Sequence, residues 1–400
     1  MSAPDFRALG LSSDQEDILL AVRDFVDGEI IPRASEYEAA DRFPDEIVQG
    51  LRELGIFGFT IPEQYGGMGL DLTTYCLAIE EISRGWMSVS GIINTHFICS
   101  SMLLESGTDE QRERLLPQMA TGEVRGAFSM TEPHCGSDVQ AILSTAVRDG
   151  GDWLINGQKM WVTNGLRSSV VATLVKTDPA ADPPHTGMTC FMVVKEPGVA
   201  EQGGLTIPPQ LHKLGYKGVE TTELVFDNHR VPDNAVLGGE AGIGKGFAQM
   251  MSGVEVGRAN VAARGVGVAR RAYELGIRYA HERETFGKPL HRHQAIQFKL
   301  AEMATKIEAA RLLTVQAARA KDAGRRADVE TGMAKYFASE MCKEVVEESF
   351  RIHGGYGYSK EYEIERLYRD APMLLIGEGT SEIQKTIISR GLLRQYRAPQ

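Results

Sequence analysis

The hydrophobic period of the chain changes twice along its length, and that change constrains the fold more than any single motif. Side chains return to the same face every 3.6 residues on a helix and every 2 on a strand, so one backbone cannot serve both patterns. Up to about residue 125 the apolar positions keep helical spacing. From about Gly126 they alternate, and after Pro232 the helical spacing returns and stays. The order divides the 400 residues into 1–125, 126–238 and 239–400. A chain of this length holds two or three domains and a large core. The class expected is mainly α with a central β domain: an N-terminal helical domain, a β-barrel-like middle domain and a C-terminal block of long helices.

Local signals fill in this outline. "SSDQEDILLAVRDFVDGEIIP" opens with a capping box, Ser13 followed three residues later by Glu16. Ile18, Val22, Phe25 and Val26 then share a face, and Pro32 marks the predicted end. Residues 45–54 and 72–83 repeat the pattern, joined by glycine-rich turns such as "EQYGGMG". In "DWLINGQKMWVTNG", Asn156-Gly157 stands between two alternating runs and predicts a hairpin turn. "SVVATLVKT", "TCFMVVKE" and "ETTELVFDNHRVP" predict further strands, and "KTDPAADPPHTG" a surface loop. In the last third, Ala and Gly in "RANVAARGVGVARRAYELG" suit close helix packing, and Ile296, Leu300, Met303 and Ile307 keep helical spacing.

The net charge of −11 argues against a broad nucleic-acid surface. Ala269-Arg270-Arg271 is too short to reverse that and reads as a solvated helix face. The five cysteines are scattered, with no Cys-x-x-Cys pair, and the histidines show no metal-ligand spacing, so neither a disulfide framework nor a metal site is expected. Reduced thiols, no cationic-then-apolar N-terminal segment and no uninterrupted apolar stretch of spanning length point to a cytoplasmic protein that does not enter a membrane. "GEAGIGKGF" lacks both the order of a phosphate-binding loop and a strand leading into it.

Several segments could carry chemistry. "FSMTEPHCGSD" can offer backbone N–H groups and hydroxyls to a ring edge or phosphate, or form a plain turn. "WVTN" puts Trp161 and Thr163 on one strand face, or marks a core Trp. Arg283 can clamp a phosphate or pair with a carboxylate. Gly354-Gly355 can cap a helix or admit close backbone approach, with His353 read as a helix-end residue. In "LLIGEGTSEIQ", Glu378 is either a helix-end charge or a catalytic base, and Ser381 with Gln384 reads as a second capping box.

These segments become specific together. With "MTEPHCGSD", "NGQKMWVTNG", "KLGYKGVETTELVFDNHRVP", "RETFGKPLHRHQAIQFKLAEMA", "IHGGYGYSKEYEIERLYRD" and "GEGTSEIQ" in order, the chain resembles the acyl-CoA dehydrogenase family from about Asp14 to Leu393. The resemblance implies FAD held between the β domain and a C-terminal four-helix bundle. It implies that Phe128, Met130, Thr131 and Gly136 lie near the flavin, with Ser137 near the pyrophosphate or the substrate. Trp161 would cover the ring and Thr163 would bond near its N5. Arg283, Thr285, Phe286 and Gln294 would reach the FAD of a neighbouring subunit, which implies a homo-oligomer, a dimer of dimers being common. Arg351, Gly354 and Gly355 would approach the pyrophosphate, with Thr380 and Glu382 nearby.

By the same resemblance, Glu378 would take the α-proton of an acyl-CoA thioester while the β-hydrogen leaves as hydride to the flavin. Gly377 and Gly379 would let backbone approach the substrate, and Glu255 and Arg258 would touch it, unless those two form a surface i,i+3 ion pair. Electrons would pass to an electron-transfer flavoprotein. An oxidase, reductase or monooxygenase of the same fold, or a non-catalytic acyl-CoA-binding protein, are the other readings. Some family members carry the base before the arginine that matches Arg258; glycine at 257 closes that position. Departures from the family pattern are Gly377 for a common Tyr, Arg351 for a common Gln and Cys135 for a common Ala.

Overall fold

A computed structural model describes residues 6–396; the outermost residues of the first and third segments lie outside the described residues. The N-terminal third is helical: α1 (Ser13–Phe25), α2 (Ile31–Ala39), α3 (Asp45–Glu53), α4 (Leu72–Gly85), α5 (Met87–Ser106) and α6 (Asp109–Ala120). The first capping box forms one residue earlier than expected. Ser12 is extended and accepts from the Gln15 N–H, while the Gln15 side chain accepts from the Ser12 N–H at 2.9 Å; Ser13 is already helical. Nor does Pro32 end the helix. A π-helical turn at Val26–Ile30 carries the chain directly into α2, and Pro32 sits in its first turn, where a missing N–H costs nothing. α5 is the one described helix long and apolar enough to cross a membrane, and 83% of that window is buried inside the protein, as in a core helix.

The middle third holds β1 (Gly126–Ser129), β2 (Thr145–Asp149), β3 (Asp152–Thr163), β4 (Val170–Lys176), β5 (Met188–Val194), β6 (Glu201–Gln202), β7 (Leu205–Thr206) and β8 (Thr221–Pro232). They form one sheet in the order β1-β4-β2-β3-β8-β7-β6, with β5 paired to the other side of β4. Its inner face buries Trp153, Phe191, Phe226 and Val231. Asn156-Gly157 is not the hairpin turn. It lies inside β3 at a register shift against β8, and the turn falls at Gly150-Gly151 instead. The glycine is needed there because its φ is +137° and an added Cβ would land 2.3 Å from the Ser144 hydroxyl. A bulge and a turn both require left-handed or open backbone, so the dipeptide alone does not separate them.

The last third holds α7 (Gly246–Glu282), α8 (Gln294–Asp322), α9 (Asp328–His353), α10 (Ile364–Ile376) and α11 (Ser381–Gln395), packed as a bundle. Gly267 brings α7 against α4: an added Cβ would lie 2.2 Å from the Glu80 carbonyl. Close approach there buries charge. Arg270 is not on a solvated face but only 2% exposed, donating to Glu81 at 2.6 Å and standing 3.3 Å from Glu274. Glu80 in turn pairs with buried Arg311 at 2.8 Å. The sequence placed Arg270 in solvent because long charged side chains are rarely buried; pairing across helices is what makes burial tolerable here.

Candidate active site

The segment between α10 and α11 turns sharply. Gly377 closes α10, and Thr380, not Ser381, caps α11 by accepting from the Ile383 N–H at 3.3 Å. Gln384 turns back and donates to the carbonyls of Glu378 and Gly379, at 3.2 and 3.0 Å, so the expected second box does not form. Between the helices Glu378 has φ +55° and Gly379 φ +89°. A left-handed non-glycine residue costs about 1–2 kcal/mol. The strain at Glu378 is held by the Gln384 bonds and by Lys335 of α9, whose ammonium donates to the Gly379 carbonyl at 2.8 Å. Gly377 itself is at φ −61°, and a Cβ there would meet the flexible Met373 sulfur at 3.0 Å and the Met373 carbonyl oxygen at 3.4 Å.

This turn aims the Glu378 side chain inward, away from the start of α11. Its Oε1 accepts from Asn94 of α5 and lies 3.7 Å from Arg264 of α7; its Oε2 is buried with no partner. Burial raises its pKa above the ordinary carboxylate value, opposed by Arg264, the Asn94 hydrogen bond, Lys335 and Arg258. A helix-end charge exposed to water would show none of these features. Beneath Oε2 lies Gly257 of α7, where an added Cβ would come within 2.0 Å of that oxygen. The two sequence positions at which a base was considered, 257 and 378, therefore share one space, and a side chain at the first excludes the second.

The surroundings of Glu378 come from four separate stretches. Arg264 donates to Asn260 at 2.7 Å and to the Tyr216 hydroxyl at 3.4 Å, and Asn260 donates to Tyr75 at 2.9 Å. Tyr216 fits because residue 91 is glycine; a Cβ there would sit 1.6 Å from the phenol oxygen. Tyr216 also bonds Thr163, linking this network to the end of β3. Asn94, Arg264, Lys335 and Tyr216 escaped the sequence reading, and only the isolated Gly91 in an apolar helix hinted at a large neighbour. Arg258 is 7% exposed, makes no hydrogen bond to any described residue and has an unpartnered Nε. The surface i,i+3 pair does not form: Glu255 is half-buried, accepts from the Ala327 N–H at 3.0 Å and stands 3.5 Å from Lys321.

The expected flavin-contacting residues fall into two groups. In the first, Phe128 lies in β1 and Met130 just past its end, and the loop bearing Thr131, Gly136 and Ser137 is pinned by buried Glu132. That carboxylate accepts from the N–H groups of Leu143 and Ser144, at 2.7 and 3.0 Å, and from the Lys159 ammonium at 2.7 Å. His134 and Cys135 lie near Glu132 in metal-binding range, but these three donors already occupy its oxygens. Gly136 and Ser137 are exposed, while Cys135 is a buried free thiol. Trp161 is not a core residue: it is 55% exposed at φ +62°, on the bulge between Lys159 and Val162. Buried Val162 separates it from Thr163, which is half-buried at the end of β3.

The second group lies at the far end of the bundle. Arg283 caps α7 and stands over the Tyr356 ring at 6.0 Å. Among the described residues it has no carboxylate partner, so that alternative is not realised. Thr285 and Phe286 form the following turn, with Phe286 at φ +50° and 98% exposed, and Gln294 is exposed at the start of α8. Gly354 caps α9 at φ +59°, and neither it nor Gly355 has a heavy atom within 4 Å of an added Cβ. His353 ends α9 and bonds the Ser349 carbonyl at 2.7 Å. Arg351 pairs with Glu347 of its own helix at 2.7 Å, and Glu382 is exposed in the first turn of α11. An exposed indole, an unpaired guanidinium and open glycine backbone fit the demands of FAD: a ring to cover, phosphates to hold and close main-chain approach.

Comparison with known proteins agrees with this geometry. Residues 12–123, 127–229 and 244–393 match the N-terminal, middle and C-terminal domains of acyl-CoA dehydrogenase. An acyl-CoA dehydrogenase of Bacillus subtilis (strain 168) is 41% identical over 95% of this chain and 98% of its own. The (2S)-methylsuccinyl-CoA dehydrogenase of Cereibacter sphaeroides is 39% identical over 97% of this chain and 71% of its own. The solved structure "Electron transferring flavoprotein of Acidaminococcus fermentans: Towards a mechanism of flavin-based electron bifurcation" superposes with a TM-score of 0.91, at 35% identity, over 96% of this chain and 99% of that one. The chain belongs to the acyl-CoA dehydrogenase family.

Proposed function

We propose that this FAD-dependent oxidoreductase converts an acyl-CoA thioester to its trans-2-enoyl-CoA, with Glu378 as the base that takes the α-proton. The observation that carries the reading is the unpartnered, buried Oε2 of Glu378, held inward by a strained turn. Asn94 occupies Oε1, so Oε2 is the atom free to hold the proton. A carboxylate in a dry site is a stronger base toward a weak carbon acid than one in water, because burial has raised its pKa. The Glu378 N–H donates to no described acceptor and is available to the thioester oxygen as negative charge develops there. A preorganised donor of that kind contributes about 3 kcal/mol. Bound FAD supplies the acceptor for the two electrons and the second hydrogen.

For the cofactor, Trp161 and Thr163 would face the ring, with Phe128, Met130, Thr131, Gly136 and Ser137 along one edge. Arg283 and the following turn would serve a neighbouring subunit's FAD. Gly257 beneath Glu378 and Arg283 lie on one helix, separated by about 39 Å at 1.5 Å per residue, which is too far for one cofactor to touch both sites in one chain. The 98% exposure of Phe286 suits a residue that a partner covers. A dimer of dimers, an electron-transfer flavoprotein as acceptor and a reducing compartment for the five free cysteines complete the proposal.

The test is a panel of acyl-CoA thioesters mixed anaerobically with the flavin-loaded enzyme. At least one should bleach the flavin. Glu378→Gln should retain flavin and lose bleaching by at least ~100-fold. Normal turnover in that variant would remove Glu378 from the role.

A further inference from the structure

The charges around Glu378 do not balance. Arg258, Arg264 and Lys335 all act on its carboxylate, and each is buried or nearly so. The other acids near Arg258 are already engaged: Glu255 lies 3.5 Å from Lys321, and Asp328 pairs with Arg326 at 2.8 Å. Tyr75 and Tyr216 supply no countercharge, since burial holds both phenols neutral. Lys335 is partly offset by carbonyls, at 3.5 Å to Leu375 near the end of α10 and 2.8 Å to Gly379 in the turn that follows. That still leaves two guanidiniums facing one carboxylate. Arg264 lies 3.7 Å from Glu378, outside hydrogen-bond range, and its Nη2 donates to no described acceptor. Arg258 donates to none at all, and its Nε is among the buried unpartnered atoms. Buried guanidinium without an anion is unfavourable, and the usual resolution is an anion delivered by the ligand.

We propose that the acyl group carries this anion: the substrate is the mono-thioester of a short dicarboxylic acid, whose free carboxylate is bound by Arg264, with Arg258 adding to the field. The inference rests on the proposed dehydrogenation and names its substrate class. In a four-carbon diacid the free carboxylate is attached to the β-carbon, next to the carbon that loses its proton. It therefore falls within reach of a guanidinium that already stands beside the base. Arginine suits the task because its guanidinium stays charged when buried and its free Nη2 can donate a charge-assisted hydrogen bond to a carboxylate, while Asn260 and Tyr216 hold the rest of the fork in place. The reaction is otherwise unchanged: one C–H bond at the α-carbon and one at the β-carbon break, a C=C bond forms, Glu378 holds the proton, and FAD takes up the electron pair with the second hydrogen.

The experiment compares length-matched pairs, succinyl-CoA with butyryl-CoA and glutaryl-CoA with valeryl-CoA, by kcat/KM in anaerobic flavin reduction. The dicarboxylic member of at least one pair should lead by ~10–100-fold, the worth of one or two charge-assisted hydrogen bonds. Arg264→Leu should erase that lead, and Arg264→Lys should retain part of it. A role confined to positioning Glu378 would slow both members of a pair equally and leave their ratio intact, which would overturn the proposal. Preference for the uncharged member in the native enzyme would also overturn it, while leaving the dehydrogenase reading in place. If no thioester of either kind reduced the flavin, the dehydrogenase reading itself would fall. The native-enzyme comparison decides the matter even if Arg264 variants do not fold.

Discussion

Gly257→Ala is the most informative single change, because it should separate stability from activity. An added Cβ would stand 2.0 Å from the Glu378 Oε2 and 2.8 Å from the Ile98 Cδ1. Ordinary contact begins near 3.4 Å, so the carboxylate must retreat by about 1.4 Å. A misplacement of ~1 Å costs reacting groups ~100-fold, so bleaching by a competent thioester should slow by at least that factor. Folding responds differently. Gly257 lies inside α7, where alanine is favoured over glycine by ~1 kcal/mol. Crowding opposes this by ~1–3 kcal/mol, but the atoms met are the ends of two side chains that can give way. The net change should hold Tm within about 5 °C of the native value. The assay is anaerobic stopped-flow bleaching at matched flavin content, with thermal unfolding measured alongside. A flavin-loaded, stably folded variant that bleaches at the native rate would show that the carboxylate does not rest above position 257.

Other changes probe the remaining parts of the argument. Glu378→Gln should raise stability at pH 8: burial lifts the folded-state pKa, so the charged form costs folding free energy that grows as pH rises from the unfolded value toward the folded one. The advantage should vanish below pH about 4.5, where both states are protonated, and a less stable variant at pH 8 would contradict it. Arg270→Leu leaves Glu81 without its closest cation and should cost ~3–5 kcal/mol in chemical unfolding; a loss under ~1 kcal/mol would show that the network is not a buried one. Arg283→Ala should weaken FAD retention by ~10–100-fold, read as apoprotein after gel filtration, while Tm of the apoprotein stays unchanged. Unaltered retention would take Arg283 out of the cofactor contacts.

Much of the molecule could be read from short-range pattern. The change of period placed the sheet between two helical blocks, and β4, β5 and β8 fall where alternation predicted them. Where local rules misled, neighbours distant in sequence had decided. Asn156-Gly157 has a turn's composition, yet Ser144 across the sheet makes the glycine part of a bulge. Ser12 and Thr380 replaced Ser13 and Ser381 as caps, a one-residue slip that hydroxyl spacing cannot resolve. Arg270 was misjudged, because an arginine looks solvated until acids on other helices meet it. For Trp161 the strand pattern left a core place and an outward one open, and a bulge turns it outward.

The sequence by itself determined the order of elements, the family motifs and the identity of the one acid worth suspecting, since each is written in stretches of consecutive residues. The tertiary structure decided what surrounds that acid: Asn94 on Oε1, Gly257 beneath Oε2, and guanidiniums from a helix more than a hundred residues upstream. The reason is physical. Backbone preference acts over a few residues, whereas the pKa of a base and the charge of its pocket depend on separations through space, which only packing sets.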